Sequence, residues 1–208
     1  MATAVLIDDQ PYIRVILKRI LEDEGVKVVA ECGDGIEGVA QARSLKPDIL
    51  VTELVLTGLD GMDVINRIRR AVPATRVVVV TASPAEFSMD RCMRAGCTAY
   101  ISKSHDTDVF RKAIQAVQAG FTCFPSTQGQ PNQPKHGDPD EQGRIAGLSA
   151  RELAVLRYLA MGFSNLQIGH ALLLSNKTIS SYKTRLVKKL KVKSVICLAD
   201  LARRHGVV

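Results

Sequence analysis

The first 120 residues alternate between short apolar runs and amphipathic stretches, and that alternation restricts the fold more than any other feature. The runs Ala4–Ile7, Lys27–Glu31, Ile49–Thr52, Val77–Thr81 and Ala99–Ser102 are mostly rich in Val or Ile, as strands covered on both faces must be. Helical spacing fills the stretches Pro11–Glu24, Gly35–Ser44, Gly61–Ala71, Ala85–Ala95 and Asp106–Ala119. Repeated strand-then-helix units predict a parallel sheet with helices on both faces. The ligand site of such a sheet lies beyond the carboxyl ends of its strands, near the switch in strand order.

Those strand ends carry an unusual set of side chains. The first run ends in Asp8 and Asp9, the third in Glu53, the fourth in Thr81 and the fifth in Lys103. Carboxylates brought together repel one another unless a cation joins them, so Asp8, Asp9 and Glu53 suit a hard divalent ion such as Mg2+. Any one of these residues alone is more often a cap or a solvated group. Their shared placement at strand ends is the specific signal.

Charge divides the chain. Residues 1–124 hold 15 Lys/Arg and 16 Asp/Glu, residues 125–146 hold 2 and 3, and residues 147–208 hold 11 and 2. The whole net charge of +7 therefore comes from the last segment, as expected where a neutral domain is joined to one that meets a polyanion. Between them, Pro125–Gly143 carries four prolines, three glycines and no aliphatic residue. Such a stretch cannot bury a core, and a flexible linker is expected from Pro125 to Ala146.

From Gly147 the pattern is helical. Ser149 and Glu152 have capping-box spacing, and Leu153, Leu156, Leu159 and Ala160 follow at helical intervals. Three more helices are predicted over Leu166–Leu173, Lys177–Leu190 and Val195–His205, making a four-helix bundle with helix-turn-helix spacing. The third helix contains no acid. Lys177, Lys183, Arg185, Lys188, Lys189 and Lys191 can neutralise phosphates, while Thr178, Ser180, Ser181 and Thr184 are small enough to approach base edges. Double-stranded DNA is the polyanion this helix suits.

Several classes are disfavoured. A 46% hydrophobic and 24% charged composition is ordinary for a globular chain. No apolar run spans a bilayer, and Met1-Ala2-Thr3 leads into the first strand without a basic segment, so neither a membrane span nor a signal peptide is expected. Five cysteines without a CxxC pair argue against a disulfide framework or a zinc site. The expectation is a soluble cytoplasmic protein. The sequence has no GxGxxG, GxxxxGK[ST] or GxSxG motif, and Asp8-Asp9-Gln10 is not the Asp-x-Asp of haloacid-type phosphatases. An Mg-dependent phosphatase is therefore a remote alternative, and no catalytic residue is assigned.

The segments Val5–Asp9, Pro47–Val51, Val80-Thr81-Ala82 and Tyr100-Ile101-Ser102-Lys103 resemble a receiver domain of a two-component response regulator. The resemblance implies a flavodoxin-like α/β receiver over residues 1–124, Mg2+ binding by Asp8 and Asp9, phosphoryl contacts from Thr81 and Lys103, and a switch role for Tyr100. Leu148–Leu156 together with Ser175–Lys183 and Lys189-Leu190 resembles the LuxR-type helix-turn-helix of the NarL/FixJ subfamily over residues 147–208. In that scaffold, Leu166-Gln167-Ile168-Gly169 replaces the commoner Lys-Glu-Ile-Ala. Phe124-Pro125-Ser126 and the run from Asn176 to Arg185 are similar to the BvgA/EvgA-like branch. Promoter DNA, a homodimer and a sensor histidine kinase are the implied partners. The dimer contact is expected on exposed Val195, Leu198 and Leu201, though packing onto their own bundle is an equal alternative.

The departure from the receiver pattern is Glu53, which stands where the family has its phospho-accepting aspartate. Leu56 and Thr57 also depart from the loop's usual Met and Pro. A carboxylate one methylene longer reaches toward Thr81 and Lys103 and is displaced from in-line attack on a phosphoryl group. A phosphorylation-independent switch is the sharp expectation, with Glu53 as a partial phosphate mimic paired to Lys103 at a partly exposed rim, worth ~1 kcal/mol. Weak conventional phosphorylation and an inert Glu53 are the alternatives. An engineered exchange would leave Leu56 and Thr57 in the family form, which favours a natural atypical receiver. Glu53 argues against the kinase.

Overall fold

A computed structural model describes residues 1–56, 58–125 and 139–208. The chain forms two compact units, divided after residue 126. In the first, the elements run β1 (Ala2–Ile7), α1 (Pro11–Asp23), β2 (Val26–Cys32), α2 (Gly35–Leu45), β3 (Ile49–Thr52), α3 (Gly61–Ala71), β4 (Arg76–Thr81), α4 (Ala85–Arg94), β5 (Ala99–Ser102) and α5 (Thr107–Gln118). The strands form a parallel sheet in the order β2-β1-β3-β4-β5. The order reverses beside β1, so the ends of β1 and β3 flank the switch point.

Local chemistry sets these boundaries. β1 starts at Ala2, two residues before its apolar run, because the Thr3 amide and hydroxyl donate to Asp48 Oδ2 at 2.8 and 3.0 Å. Pro11 opens α1, where its missing N–H costs nothing, and the Asp34 and Asp60 carboxylates cap α2 and α3. On one face of the sheet, Leu17, Ile20 and Leu21 of α1 and Phe110, Ile114 and Val117 of α5 enclose Leu6, Val51, Val78 and Val80. Val39, Val64, Ile65 and Ile68, from α2 and α3, are buried as well. Strands enclosed in this way explain why the sequence reads as continuous apolar runs.

The second unit contains α6 (Pro139–Ala146), α7 (Ala150–Ala160), α8 (Asn165–Leu172), α9 (Asn176–Lys189) and α10 (Val195–Arg204). Its core includes Leu153, Leu156, Ile168, Ile179, Leu186, Leu190, Leu198 and Leu201. The capping box Ser149–Glu152 forms as its spacing predicts, and a second one, Ser164–Gln167, starts α8. Gly169 has a packing reason: a Cβ there would press on the Leu174 carbonyl at 2.6 Å.

Two expectations need correction. Residues 139–146, expected to be linker, form α6; the rest of the expected linker, from Ser126 to residue 138, lies outside the described residues, as does Thr57. This helix is held by Ile145, which is buried, and by Glu141, whose carboxylate meets His205 Nε2 at 2.9 Å and Arg204 at 3.3 Å. The expected exposed stripe on α10 is also different. Leu198 and Leu201 are 0% exposed, whereas Val195 is 37% and Ile196 77% exposed. The leucines, three residues apart, share the face that completes the bundle core.

Candidate functional site

The acidic site is assembled by β1, β3 and β5. Asp8 follows β1, Glu53 follows β3, and Lys103 follows β5. Glu53 is fixed by close backbone packing: the Gly61 amide donates to the Leu54 carbonyl at 2.9 Å, and a Cβ at Gly61 would collide with the Glu53 carbonyl. Lys103 Nζ lies 2.7 Å from Asp8 Oδ2 and 2.8 Å from Glu53 Oε2. The other carboxylate oxygens take backbone donors. Glu53 Oε1 accepts from the Leu54 and Val55 amides at 2.6 and 3.2 Å, and Asp8 Oδ1 accepts from the Gln10 amide at 2.9 Å.

This site is buried, which corrects the expectation of a partly exposed rim. Asp8 is 1% and Glu53 3% exposed. Burial raises the Asp8 carboxyl above its ordinary pKa, against the lowering pull of Lys103 and the Gln10 amide. Burial also works against the Lys103 charge, but the Glu53 and Asp8 carboxylates overcome it and hold the ammonium above its ordinary value. Asp9 is half-buried.

The switch residues are close by. Thr81 is buried, and its hydroxyl accepts from the Ser83 amide at 3.1 Å while its carbonyl accepts from the Lys103 amide at 2.8 Å. Tyr100 is buried, and its hydroxyl donates to the Ser83 carbonyl at 2.8 Å. Burial pushes this phenol's pKa up, keeping the proton that the bond needs. Ser83 thus joins the two, a partner that sequence reading had not singled out.

Receiver domains commonly bind Mg2+, and the fit of this donor set can be tested. A hard divalent ion takes about six oxygen ligands. Here all four oxygens of Asp8 and Glu53 face an ammonium or a backbone amide. No group of three or more His, Cys, Asp or Glu residues is arranged to hold a metal among the described residues. As arranged, Lys103 supplies the cation for Asp8 and Glu53, and these two carboxylates do not fit Mg2+ while it stays between them.

The second candidate surface is α9. Lys177, Ser180, Ser181, Thr184, Arg185 and Lys188 are exposed, and Thr178 and Lys183 are half-buried. Ser180, Ser181 and Thr184 donate their hydroxyl protons to carbonyls four residues earlier, at 3.1, 3.1 and 3.2 Å. Thr178 pairs with Ser175 at the helix start, and Arg185 lies over the Tyr182 ring at 4.8 Å. Lys189 differs from the sequence expectation of a phosphate contact. Its ammonium meets Glu152 Oε2 at 2.8 Å, tying α9 to α7. Burial opposes the Glu152 charge, but the Lys189 and Ser149 donors hold its carboxyl below the ordinary pKa. Asn165, at the start of α8, also touches α9: it bonds both Ser180 and Lys183.

Comparison with known proteins decides the family. Residues 4–115 match the response regulator receiver domain, and residues 146–202 match the bacterial regulatory proteins of the luxR family. The chain is a response regulator, with a receiver domain and a luxR-type DNA-binding domain. This response regulator is 37% identical to the virulence-factor transcription regulator BvgA of Bordetella pertussis over 97% of both chains. It is 29% identical to the DNA-binding transcriptional activator EvgA of Escherichia coli over 98% of both. Its fold is similar to that in the structure of two RcsB dimers bound to two parallel DNAs, with a TM-score of 0.58, 26% identity and 98% of both chains covered. These likenesses bear out the NarL/FixJ-type and BvgA/EvgA-like resemblance.

Proposed function

We propose that this response regulator binds promoter DNA as a homodimer, reads sequence through α9, and holds its receiver in a switched state without phosphate. DNA reading is supported by the exposed cations and hydroxyls of α9, which carries no acid. RcsB, a structural relative, is seen as dimers on DNA. With Leu198 and Leu201 buried, Val195 and Ile196 are the large apolar α10 side chains left exposed for a dimer contact. The domain assignment becomes a receiver over residues 1–124 and a DNA-binding unit that starts at α6.

The observation that carries phosphate independence is the Lys103 ammonium held between Asp8 and Glu53. Glu53 stands at the family's acceptor position, and its carboxylate already makes the attraction to Lys103 that a phosphoryl group would make. Its other oxygen is turned to the Leu54 and Val55 amides, away from solvent. No oxygen of this carboxylate is left for in-line attack. That BvgA and EvgA are transcription regulators supports reading this protein as a regulator as well. A cytoplasmic location is consistent with promoter binding, and no described helix is long and apolar enough to cross a membrane.

Radiolabel transfer from a small phosphodonor tests this reading. Wild type should take up no stable label, and Glu53→Asp should take up some, limited by Leu56 and Thr57 in the same loop. Stable label on wild-type Glu53, Asp8 or Asp9 would return the protein to kinase control.

A further inference from the structure

The scaffold helix α8 reaches into the reading face through one side chain. Asn165 Oδ1 accepts from Lys183 Nζ, and Asn165 Nδ2 donates to Ser180 Oγ at 3.2 Å. Lys carries donors and no acceptor, so its ammonium fixes which end of the Asn165 amide faces it. The amide nitrogen is thereby committed to Ser180. A hydroxyl that accepts from Nδ2 must point its proton elsewhere, and the Ser180 proton goes to the Asn176 carbonyl at 3.1 Å. One lone pair of Ser180 Oγ then remains, on an exposed residue.

We propose that Asn165 is a positioning residue for DNA sequence reading: Ser181 and Thr184 make the same bond to the carbonyl four residues earlier without such a partner, and by bridging Lys183 and Ser180 Asn165 locks Ser180 alone as an acceptor that selects a base amino group. In the major groove that group is the exocyclic amine of adenine or cytosine, whereas guanine and thymine present only acceptors and a methyl at the equivalent edge. The inference rests on α9 being the DNA-reading helix. It adds that the polarity of one contact is locked from α8, across 15 residues of sequence. Lys183, with one donor spent on Asn165, keeps others for a phosphate beside the same base.

The test uses the full-length protein and a duplex selected from a randomised library. Competition binding on that duplex then locates the base pair whose preference Ser180→Ala abolishes. At that pair, replacing adenine with purine or cytosine with pyrimidinone removes only the amino group. Wild type should lose roughly three- to tenfold in affinity, the scale of one hydrogen bond. Asn165→Ala and Ser180→Ala should each lose this sensitivity, and the double variant should be no less selective there than Ser180→Ala alone. A purely structural role for Asn165 would lower affinity for all duplexes and leave the sensitivity in place. Retained sensitivity in Asn165→Ala, or losses that add in the double variant, overturns the proposal. Should Asn165→Ala not fold, the exposed Ser180→Ala still decides: no position-specific loss contradicts the acceptor role. If wild type selects no sequence at all, the assignment of α9 as reader falls, and this inference with it.

Discussion

Lys103 Nζ sits 2.8 Å from Glu53 Oε2, and both groups are withdrawn from solvent in a pocket that Asp8 shares. One ammonium thus compensates two carboxylates. Breaking a buried ion pair by removing one partner costs about 3–5 kcal/mol, because the remaining charge is stranded. Lys103→Met should therefore destabilise the receiver by that order, read from its denaturant midpoint. A loss below ~1 kcal/mol would mean that the carboxylates are solvated after all.

The Glu152–Lys189 bridge joins the capping box of α7 to the reader helix. Glu152→Ala removes both the cap and the ion pair, and should cost ~1–2 kcal/mol. The pH sign follows from the lowered carboxyl. A depressed folded pKa adds stability above the unfolded value, ~4.3, and that stability is lost as pH falls through the folded value. Protection factors of the α7 amides, corrected for intrinsic exchange, should fall in this acid range in wild type and show a weaker pH response in Glu152→Gln. An equal response in both would leave the carboxylate without a role.

Helix α6 belongs to the DNA-binding unit. A fragment of residues 139–208 should melt higher than one of residues 147–208, because Ile145 burial alone is worth roughly 1.5–3 kcal/mol. Glu141→Ala, which releases His205 and Arg204, should lower the midpoint of the longer fragment and leave the shorter one without an equivalent contact to lose. Equal melting of the two fragments would return α6 to the linker.

DNA binding by α9 should weaken steeply with salt. Lys177→Ala or Lys188→Ala should lower affinity for all sequences and reduce the salt slope by about one, whereas Ser181→Ala or Thr184→Ala should chiefly relax selectivity. Fluorescence anisotropy across a salt series measures both. Lys189→Ala should act through unfolding instead, since its charge is spent on Glu152.

The sheet was legible because strands buried on both faces leave unbroken apolar runs, and the boundaries of β3 and β5 fall where those runs end. The helix starts of the second unit were legible through Ser149, whose cap is local. What sequence reading missed depends on tertiary position. The α6 segment reads as polar and Pro/Gly-rich, and its anchor Ile145 is a single residue at its end. Leu198 and Leu201 share a helix face, but spacing cannot say whether that face meets the bundle or a partner. The acidic residues were legible as a cluster. Their burial was not, because it depends on tertiary packing such as the close approach of Gly61 to the Glu53 and Leu54 backbone. The Asn165 bridge to α9 was invisible because its partners lie 15 and 18 residues away.

We propose that Glu53, held by Lys103, sets the output without phosphate. The most direct measurement is the binding isotherm of full-length protein on a selected duplex, with and without a small phosphodonor, beside Glu53→Ala. The two wild-type isotherms should coincide, and Glu53→Ala should bind severalfold more weakly, with no rescue by the donor. Tighter wild-type binding in the presence of the donor, with phosphate recovered on the receiver, would contradict it.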